Sequence, residues 1–247
     1  MNVKDFCKYF FRVHRCAGCG EILDFQYTDS AFCPECMLKW RVAKTVSCPR
    51  CSQSAVECLC SPKGLERTGA LCLVKLYFYS AEKSGQPQNK LLYRIKKNRN
   101  KRFSDFVADE LQPRILAELE TLTADRENDA VLVNVPRGRS ARRIYGFDQS
   151  EIICEAISKK TGIPYVKLIR RARESREQKK LTRDKRFRNV SASFGYNKKL
   201  KDRVKNKYVL LFDDVVTTGA SMAACVNLLK KAGAKGVICV CMASVAK

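Results

Sequence analysis

Eight cysteines near the amino end fall into four close pairs: Cys16-x2-Cys19, Cys33-x2-Cys36, Cys48-x2-Cys51 and Cys58-x-Cys60. A Cys-x2-Cys turn puts two thiolates on one side of a tight knuckle, and two knuckles complete a tetrahedron around Zn²⁺ with Zn–S bonds of about 2.3 Å. Eight ligands suffice for two ions. Taken in order, Cys16, Cys19, Cys33 and Cys36 hold one and Cys48, Cys51, Cys58 and Cys60 the other; an interleaved arrangement uses the same spacings and stays open. His14, the single histidine, reads as a solvated side chain rather than a ligand, and Cys7 falls outside the series. Cys72, Cys154, Cys225, Cys239 and Cys241 lie in apolar runs, where cysteine behaves as a small hydrophobe.

A second constellation occupies "YVLLFDDVVTTGASM", residues 208–222. An apolar run that reads as a buried strand ends in two adjacent carboxylates, Asp213 and Asp214. In an open α/β sheet, ligands bind beyond the carboxyl ends of the strands. The small residues Thr217, Thr218, Gly219, Ala220 and Ser221 follow; they let backbone N–H groups approach an anion, and their hydroxyls add donors. Met222, Cys225, Val226 and Leu229 then repeat at i, i+3, i+4 and i+7 up to Gly233, so the loop opens into an amphipathic helix whose amino end faces the same place. Carboxylates beside an anion cradle suit a phosphorylated sugar, whose hydroxyls donate to the acids while its phosphate takes the helix end. The plain alternative is a turn with an acidic helix-start signal.

The elements that must position these groups are legible as apolar periodicity. Strand-like runs occur at 70–79, 130–135, 163–169, 208–212 and 236–243. Helical patterns lie between them, one covering 103–122 with Pro113 inside it and one covering 150–162, where Ser150 can cap and Gly162 ends the helix. Alternation of the two implies an α/β domain with a mostly parallel sheet. The turn-rich "SPKGLERTG" marks a boundary near residue 65, giving a cysteine-rich module at 1–65 and a larger domain at 66–247.

Composition limits the partners. The chain has 247 residues, 45% of them hydrophobic, and carries 48 basic against 25 acidic side chains, a net of +23. Two Zn(Cys)4 centres would lower that to about +19. The excess favours polyanions: nucleic acid, nucleotides, phosphates or an acidic membrane surface. The amino end lacks the apolar core of a secretory signal, and no stretch approaches the roughly 18 apolar residues of a membrane span, which points to a cytoplasmic protein with reduced thiols. Three basic runs stand out at 93–103, 136–143 and 167–190. Such runs are commonly solvated faces, but loops of a parallel sheet share an edge, so these can converge on a site.

The segment "VLLFDDVVTTGAS" resembles the 5-phosphoribosyl-1-pyrophosphate (PRPP) motif of type I phosphoribosyltransferases. With the paired cysteines ahead of it, the chain is similar to the ComF (competence protein F) family, in which a double zinc ribbon precedes a phosphoribosyltransferase domain. "VP" at 135–136 leading to "YGFDQSE" is similar to the family's V-P…R-G-F-N-Q stretch, with Tyr145 and Asp148 where Arg and Asn are common. Gln178, Leu181, Arg186, Asn189, Val190 and Phe194 match its Q-x-x-L…R-x-x-N-V…F loop, and "YRIKKNRNKRF" its basic helical segment. The resemblance implies that Asp213 and Asp214 contact ribose hydroxyls, that Thr217–Ser221 hold the 5-phosphate, and that Mg²⁺ bridges ribose and pyrophosphate. It also implies a pyrophosphate loop at Pro136 and Arg137 and a mobile loop at 175–190 that brings Arg183 and Arg186 to the leaving pyrophosphate. Two functions follow as expectations. One is phosphoribosyl transfer to an unidentified nitrogen acceptor, tied by family to DNA uptake. The other is a non-catalytic competence factor that holds single-stranded DNA on its basic loops and on Tyr93, Phe103, Phe187, Phe194 and Tyr196, working with DNA-uptake or recombination proteins.

Overall fold

Runs of Val, Leu, Ile and Cys without alternation demand burial on both faces, which a parallel sheet covered by helices supplies. In the computed structural model, which describes residues 13–171 and 193–246, they receive it. The chain runs through α1 (Pro34–Thr45), α2 (Lys63–Glu66), β1 (Cys72–Val74), β2 (Tyr77–Phe78), α3 (Pro87–Lys97), α4 (Lys101–Glu120), α5 (Arg126–Asp129), β3 (Ala130–Asn134), α6 (Arg139–Tyr145), α7 (Gln149–Thr161), β4 (Ile169–Arg171), β5 (Phe194–Tyr196), β6 (Tyr208–Val216), α8 (Ala220–Lys231) and β7 (Gly236–Ser244). The main sheet has the order β1–β7–β6–β3, with β2 also on β7, and every pairing in it is parallel. β4 and β5 form a separate antiparallel pair. This is the type I phosphoribosyltransferase fold that the sequence implies, a parallel sheet between helices with cysteine clusters at its amino end.

Two cores follow from strand periodicity. Leu210 and Phe212 of β6, with Leu132 and Val240, face α4 and α7 through Val107, Leu111, Ile153 and Ile157. Val209 and Leu211, with Val131 and Cys239, face α8 through Met222, Cys225, Val226 and Leu229. At about 25 cal/mol per Å² of apolar surface removed from water, these two layers dominate the stability of the chain. The cysteine-rich segment joins the first of them. Cys16, Phe32, Cys36 and Trp40 belong to the same cluster as Val107 and Leu210, Trp40 lies edge-on to Tyr77 at 5.7 Å, and its indole N–H donates to Glu110 at 3.0 Å.

Four local expectations need correction. The run 70–79 is two short strands, interrupted at Lys75, whose buried ammonium turns inward to the carbonyls of Cys58 and Leu73. The run 163–169 contributes to the main sheet only a bridge from Tyr165 to Leu132; Pro164 has no N–H with which to extend a ladder. The residue capping α7 is Asp148, whose carboxylate accepts the Ser150 N–H. Finally, β6 does not end at Phe212 but continues to Val216, because β7 stays beside it as far as Ser244.

Candidate functional site

Asp213 and Asp214 lie within β6 where the sheet becomes one-sided. β3 reaches only Asn134, opposite Phe212, whereas β7 pairs on through Asp213, Val215 and Val216. The acids are thus anchored along one edge and open along the other. Asp214 is buried, and its Oδ2 receives the Gln149 side-chain N–H at 2.7 Å and the Lys96 ammonium at 3.4 Å. The Asp213 carboxylate accepts the N–H of Asp214 at 2.9 Å. Burial, and then the charge of Asp214, push Asp213 well above the ordinary carboxylate range, against a pull from that N–H and from Lys96. The Asp213 carboxylate therefore holds its charge with difficulty unless a cation or hydroxyl donors arrive.

Thr217, Thr218 and Gly219 form the turn that follows, and Gly219 caps α8 with φ of 76°, the left-handed region that glycine enters without strain. Thr217 and Thr218 are exposed. The first N–H groups of α8, at Ala220 and Ser221, have no intrahelical acceptor and carry the positive end of the helix dipole. The paired acids and the turn that leads into α8 are therefore separated only by Val215 and Val216.

The loop between β3 and α6 starts beyond the end of β3, where the Val135 N–H donates to the Phe212 carbonyl at 2.8 Å. Pro136 is buried, and the Arg137 N–H donates to Asp148 Oδ2 at 2.7 Å while Asp148 Oδ1 takes the Ser150 N–H at 3.0 Å. Burial pushes the Asp148 carboxyl up, and the N–H groups of Arg137 and Ser150 pull the other way. One side chain thus fixes both the loop and the start of α7, and the next residue, Gln149, reaches Asp214. The Arg137 guanidinium donates to the Lys96 carbonyl at 3.0 Å and lies 4.4 Å from the centre of the Tyr145 ring. Tyr145 and Asp148, the two departures from the family pattern, both contact Arg137. Lys96 and Gln149 were not singled out as site residues from sequence; "YGFDQSE" contained the signal for Gln149, and Lys96 was hidden inside a basic run. Arg183 and Arg186, with Gln178, Leu181, Asn189 and Val190, lie outside the described residues.

The cysteines gather in two groups, Cys16, Cys19, Cys33 and Cys36, and Cys48, Cys51, Cys58 and Cys60, with the ligand atoms of each group within 4.8 Å of one another. The grouping is sequential, and His14 belongs to neither. Donors suited to thiolates surround both: N–H groups of Gly18 and Cys33 point at Cys16 Sγ at 3.3 Å, and that of Arg50 at Cys48 Sγ at 3.4 Å. Burial raises Cys16, but such N–H contacts outweigh it and bring the thiol down to about 7; Cys48 likewise falls to about 7. A Cβ at Gly18 would stand 2.5 Å from Cys36 Sγ, so this knuckle closes only around glycine. Four convergent sulfurs with N–H support fit a tetrahedral thiophilic cation such as Zn²⁺.

Comparison with known proteins agrees with this geometry. The phosphoribosyl transferase domain family matches residues 108–247. DNA utilization protein YhgH of Escherichia coli (strain K12) is 27% identical over 218 residues, covering 85% of this chain and 88% of that protein. Its counterpart in Salmonella typhimurium is 26% identical over 213 residues, covering 86% and 83%. A solved structure of the allosteric regulatory enzyme of purine biosynthesis matches 63% of this chain and 26% of its own at 20% identity and a TM-score of 0.35. No helix among the described residues is long and apolar enough to cross a membrane.

Proposed function

The chain belongs to the phosphoribosyl transferase domain family, in the ComF arrangement of paired cysteines ahead of that domain, and from that premise we propose that it binds PRPP with Mg²⁺ in the cytoplasm and transfers the phosphoribosyl group. The observation that supports this best is the placement of Asp213 and Asp214 at the open edge of β6, two residues before the turn that starts α8. The carboxylates accept the ribose hydroxyls. Thr217, Thr218, Gly219, Ala220 and Ser221 take the 5-phosphate by N–H and hydroxyl donors. Pro136 and Arg137 shape the loop for the pyrophosphate, and Arg183 and Arg186 are assigned to the charge it gains on leaving. Mg²⁺, when bound, would neutralise pyrophosphate charge, and Asp213 and Asp214 would hold it as hard oxygen donors. In the transfer, a nitrogen nucleophile bonds to the anomeric carbon as the carbon–oxygen bond breaks, and that electron pair departs with pyrophosphate. Replacing Asp213 and Asp214 together by Asn keeps size and removes two charged acceptors, each worth about 1.5–3 kcal/mol in hydrogen bonds. PRPP affinity in the presence of Mg²⁺ should fall at least tenfold by calorimetry; unchanged affinity overturns the assignment.

A second reading, nucleic-acid binding, is favoured by a basic array at the opposite end of the sheet. Lys198, Lys199, Lys201, Arg203, Lys205 and Lys207 precede β6, and Lys230, Lys231 and Lys235 precede β7, with Asp202 the one acid among them. Backbone bonds from Asn206 N–H to Gly233 O and from Lys235 N–H to Lys207 O, both 2.8 Å, bind the two loops together. Among the described residues none of these cations is in an ion pair, whereas Lys96 and Arg142 of the other runs are paired. An array of this kind neutralises phosphodiester charge. The relatives' name, DNA utilization protein, fits a role beside single-stranded DNA and DNA-uptake or recombination proteins, and the two readings are compatible in one chain.

A further inference from the structure

The second cysteine group and the Thr217–Gly219 turn are far apart in sequence and touch through α2. Two residues after Cys60 the chain reaches Pro62 and enters α2, which lies under the turn: a Cβ added to Gly219 would stand 3.3 Å from Leu65 Cβ and 3.6 Å from Pro62 Cβ, and one added to Gly64 would stand 3.3 Å from the Thr218 carbonyl oxygen. Leu65 is fully buried in the cluster that holds Met222 and Ala223 of the first turn of α8. On the other side, Arg50, inside the knuckle between Cys48 and Cys51, donates to the Ser61 carbonyl at 2.7 Å and pairs with Glu66 at 2.7 Å. Lys75 closes the arrangement from below, its buried ammonium donating to the Cys58 carbonyl. Among the described residues the first group has no such path, since Cys16 and Cys36 belong to the cluster on the opposite face of the sheet.

We infer that the second tetracysteine centre is a positioning device for the anion site, with Arg50, Pro62, Gly64 and Leu65 transmitting its shape to the turn at Thr217–Gly219. An anion cradle made of N–H groups works only if they already converge before the ligand arrives, and a shift of a few tenths of an ångström misdirects them. A turn with a positive-φ glycine, set on a four-residue helix, has little rigidity of its own. Tethering that helix through Arg50 to a knuckle closed around a metal supplies the rigidity from outside the domain that binds the ligand.

This inference rests on the assignment of the turn to a sugar phosphate, so the experiment separates the two. Ribose 5-phosphate and inorganic pyrophosphate are titrated by calorimetry into the full chain, into Arg50→Gln and into Gly64→Val, with metal content and far-ultraviolet circular dichroism measured on each. The wild type should bind both. Each variant should lose about tenfold in ribose 5-phosphate affinity, as expected when charge-assisted N–H contacts to the phosphate are misdirected, and hold pyrophosphate affinity within about twofold, because the loop at Pro136 is outside the path. A wild type that ignores ribose 5-phosphate refutes the assignment of the turn. A wild type that binds it, with both variants unchanged or with both ligands weakened equally, refutes the coupling while leaving the assignment intact. If Gly64→Val fails to fold, Arg50→Gln decides alone, since its half-exposed side chain contributes nothing to the core.

Discussion

Replacing Gln149 by Leu removes the side-chain hydrogen bond on Asp214 Oδ2. The amide N–H donates to Asp214 Oδ2 at 2.7 Å, and both residues are more than nine-tenths buried. A hydrogen bond to a charged group in such a place is worth about 1.5–3 kcal/mol. The same amide presents Oε1 to the interior without a protein partner, at a cost of about 1–3 kcal/mol. Leucine is close in size, loses the first quantity and escapes the second, so global stability should change by no more than about 2 kcal/mol, several degrees in Tm for a chain this long. Ligand affinity has no such compensation. Asp214 would keep the Val215 N–H on Oδ1 at 2.7 Å, but on Oδ2 only the longer contact to Lys96 at 3.4 Å, and if the lost bond is the one that pre-orients Oδ2, PRPP affinity should fall about tenfold to a hundredfold. Calorimetry with PRPP and Mg²⁺ beside a thermal melt gives both numbers. Unchanged affinity, or a drop in Tm large enough to account for the loss, would refute the reasoning.

Asp213, raised above the ordinary carboxylate range, binds its proton more tightly folded than unfolded, so stability should fall as pH rises from that range toward the raised value. Urea melts across pH should show Asp213→Asn gaining stability relative to wild type over this interval, while PRPP binding to wild type tightens and releases a proton. Metal analysis should find two zinc ions per chain, and because Cys36 shares a core with Val107 and Leu210, Cys36→Ser should lower a single melting transition rather than release a separate amino-terminal one. Lys198→Glu, Lys199→Glu and Lys201→Glu together should weaken single-stranded DNA binding in anisotropy titrations and flatten its salt dependence by about two units of log–log slope, at roughly 0.7 per phosphate contacted, with PRPP affinity intact; an unaltered slope removes this array from the nucleic-acid surface.

Spacing and apolar periodicity carry much of the architecture. The cysteine pairs, the runs at 130–135 and 236–243, and the turn into α8 are legible because each is local: a knuckle, a buried strand and a capped helix are specified by residues within a few positions of one another. What sequence missed is non-local. The basic run 93–103 looks uniform, yet Lys96 lies against Asp214 and Arg102 donates to the carbonyls of Arg15 and Ser30, so replacing the run wholesale would damage the site and the fold together. The rings chosen as stacking surfaces divide in the same way: Phe103 and Phe194 are core residues, Tyr93 is exposed and bonded to Tyr79, and Phe187 lies outside the described residues. The cations at 198–207 form no exceptional stretch in sequence; the strand register brings Lys207 beside Lys235.

The two adjacent carboxylates in β6 are explained by this division between local and non-local forces. Locally they are unfavourable, since neighbouring acids repel and burial adds to the cost, which is why Asp213 is driven toward its neutral form. Beyond the adjacent Val215 N–H on Asp214 Oδ1, their tolerance comes from residues distant in sequence: Lys96 at the end of α3 and Gln149 at the start of α7 both converge on Asp214 Oδ2. The compensation is incomplete, because Asp213 has the Asp214 N–H but no cation of its own among the described ion pairs. A ligand that brings hydroxyl donors and a divalent cation would complete it, and the free energy withheld from folding would then appear as affinity. On this account the acids are not an isolated motif. They are one side of a balance whose other side is set by α3, α7 and the loop at Arg137, so a chain that kept "FDDVVTTGAS" but lost Lys96 and Gln149 would keep the signature and lose the site.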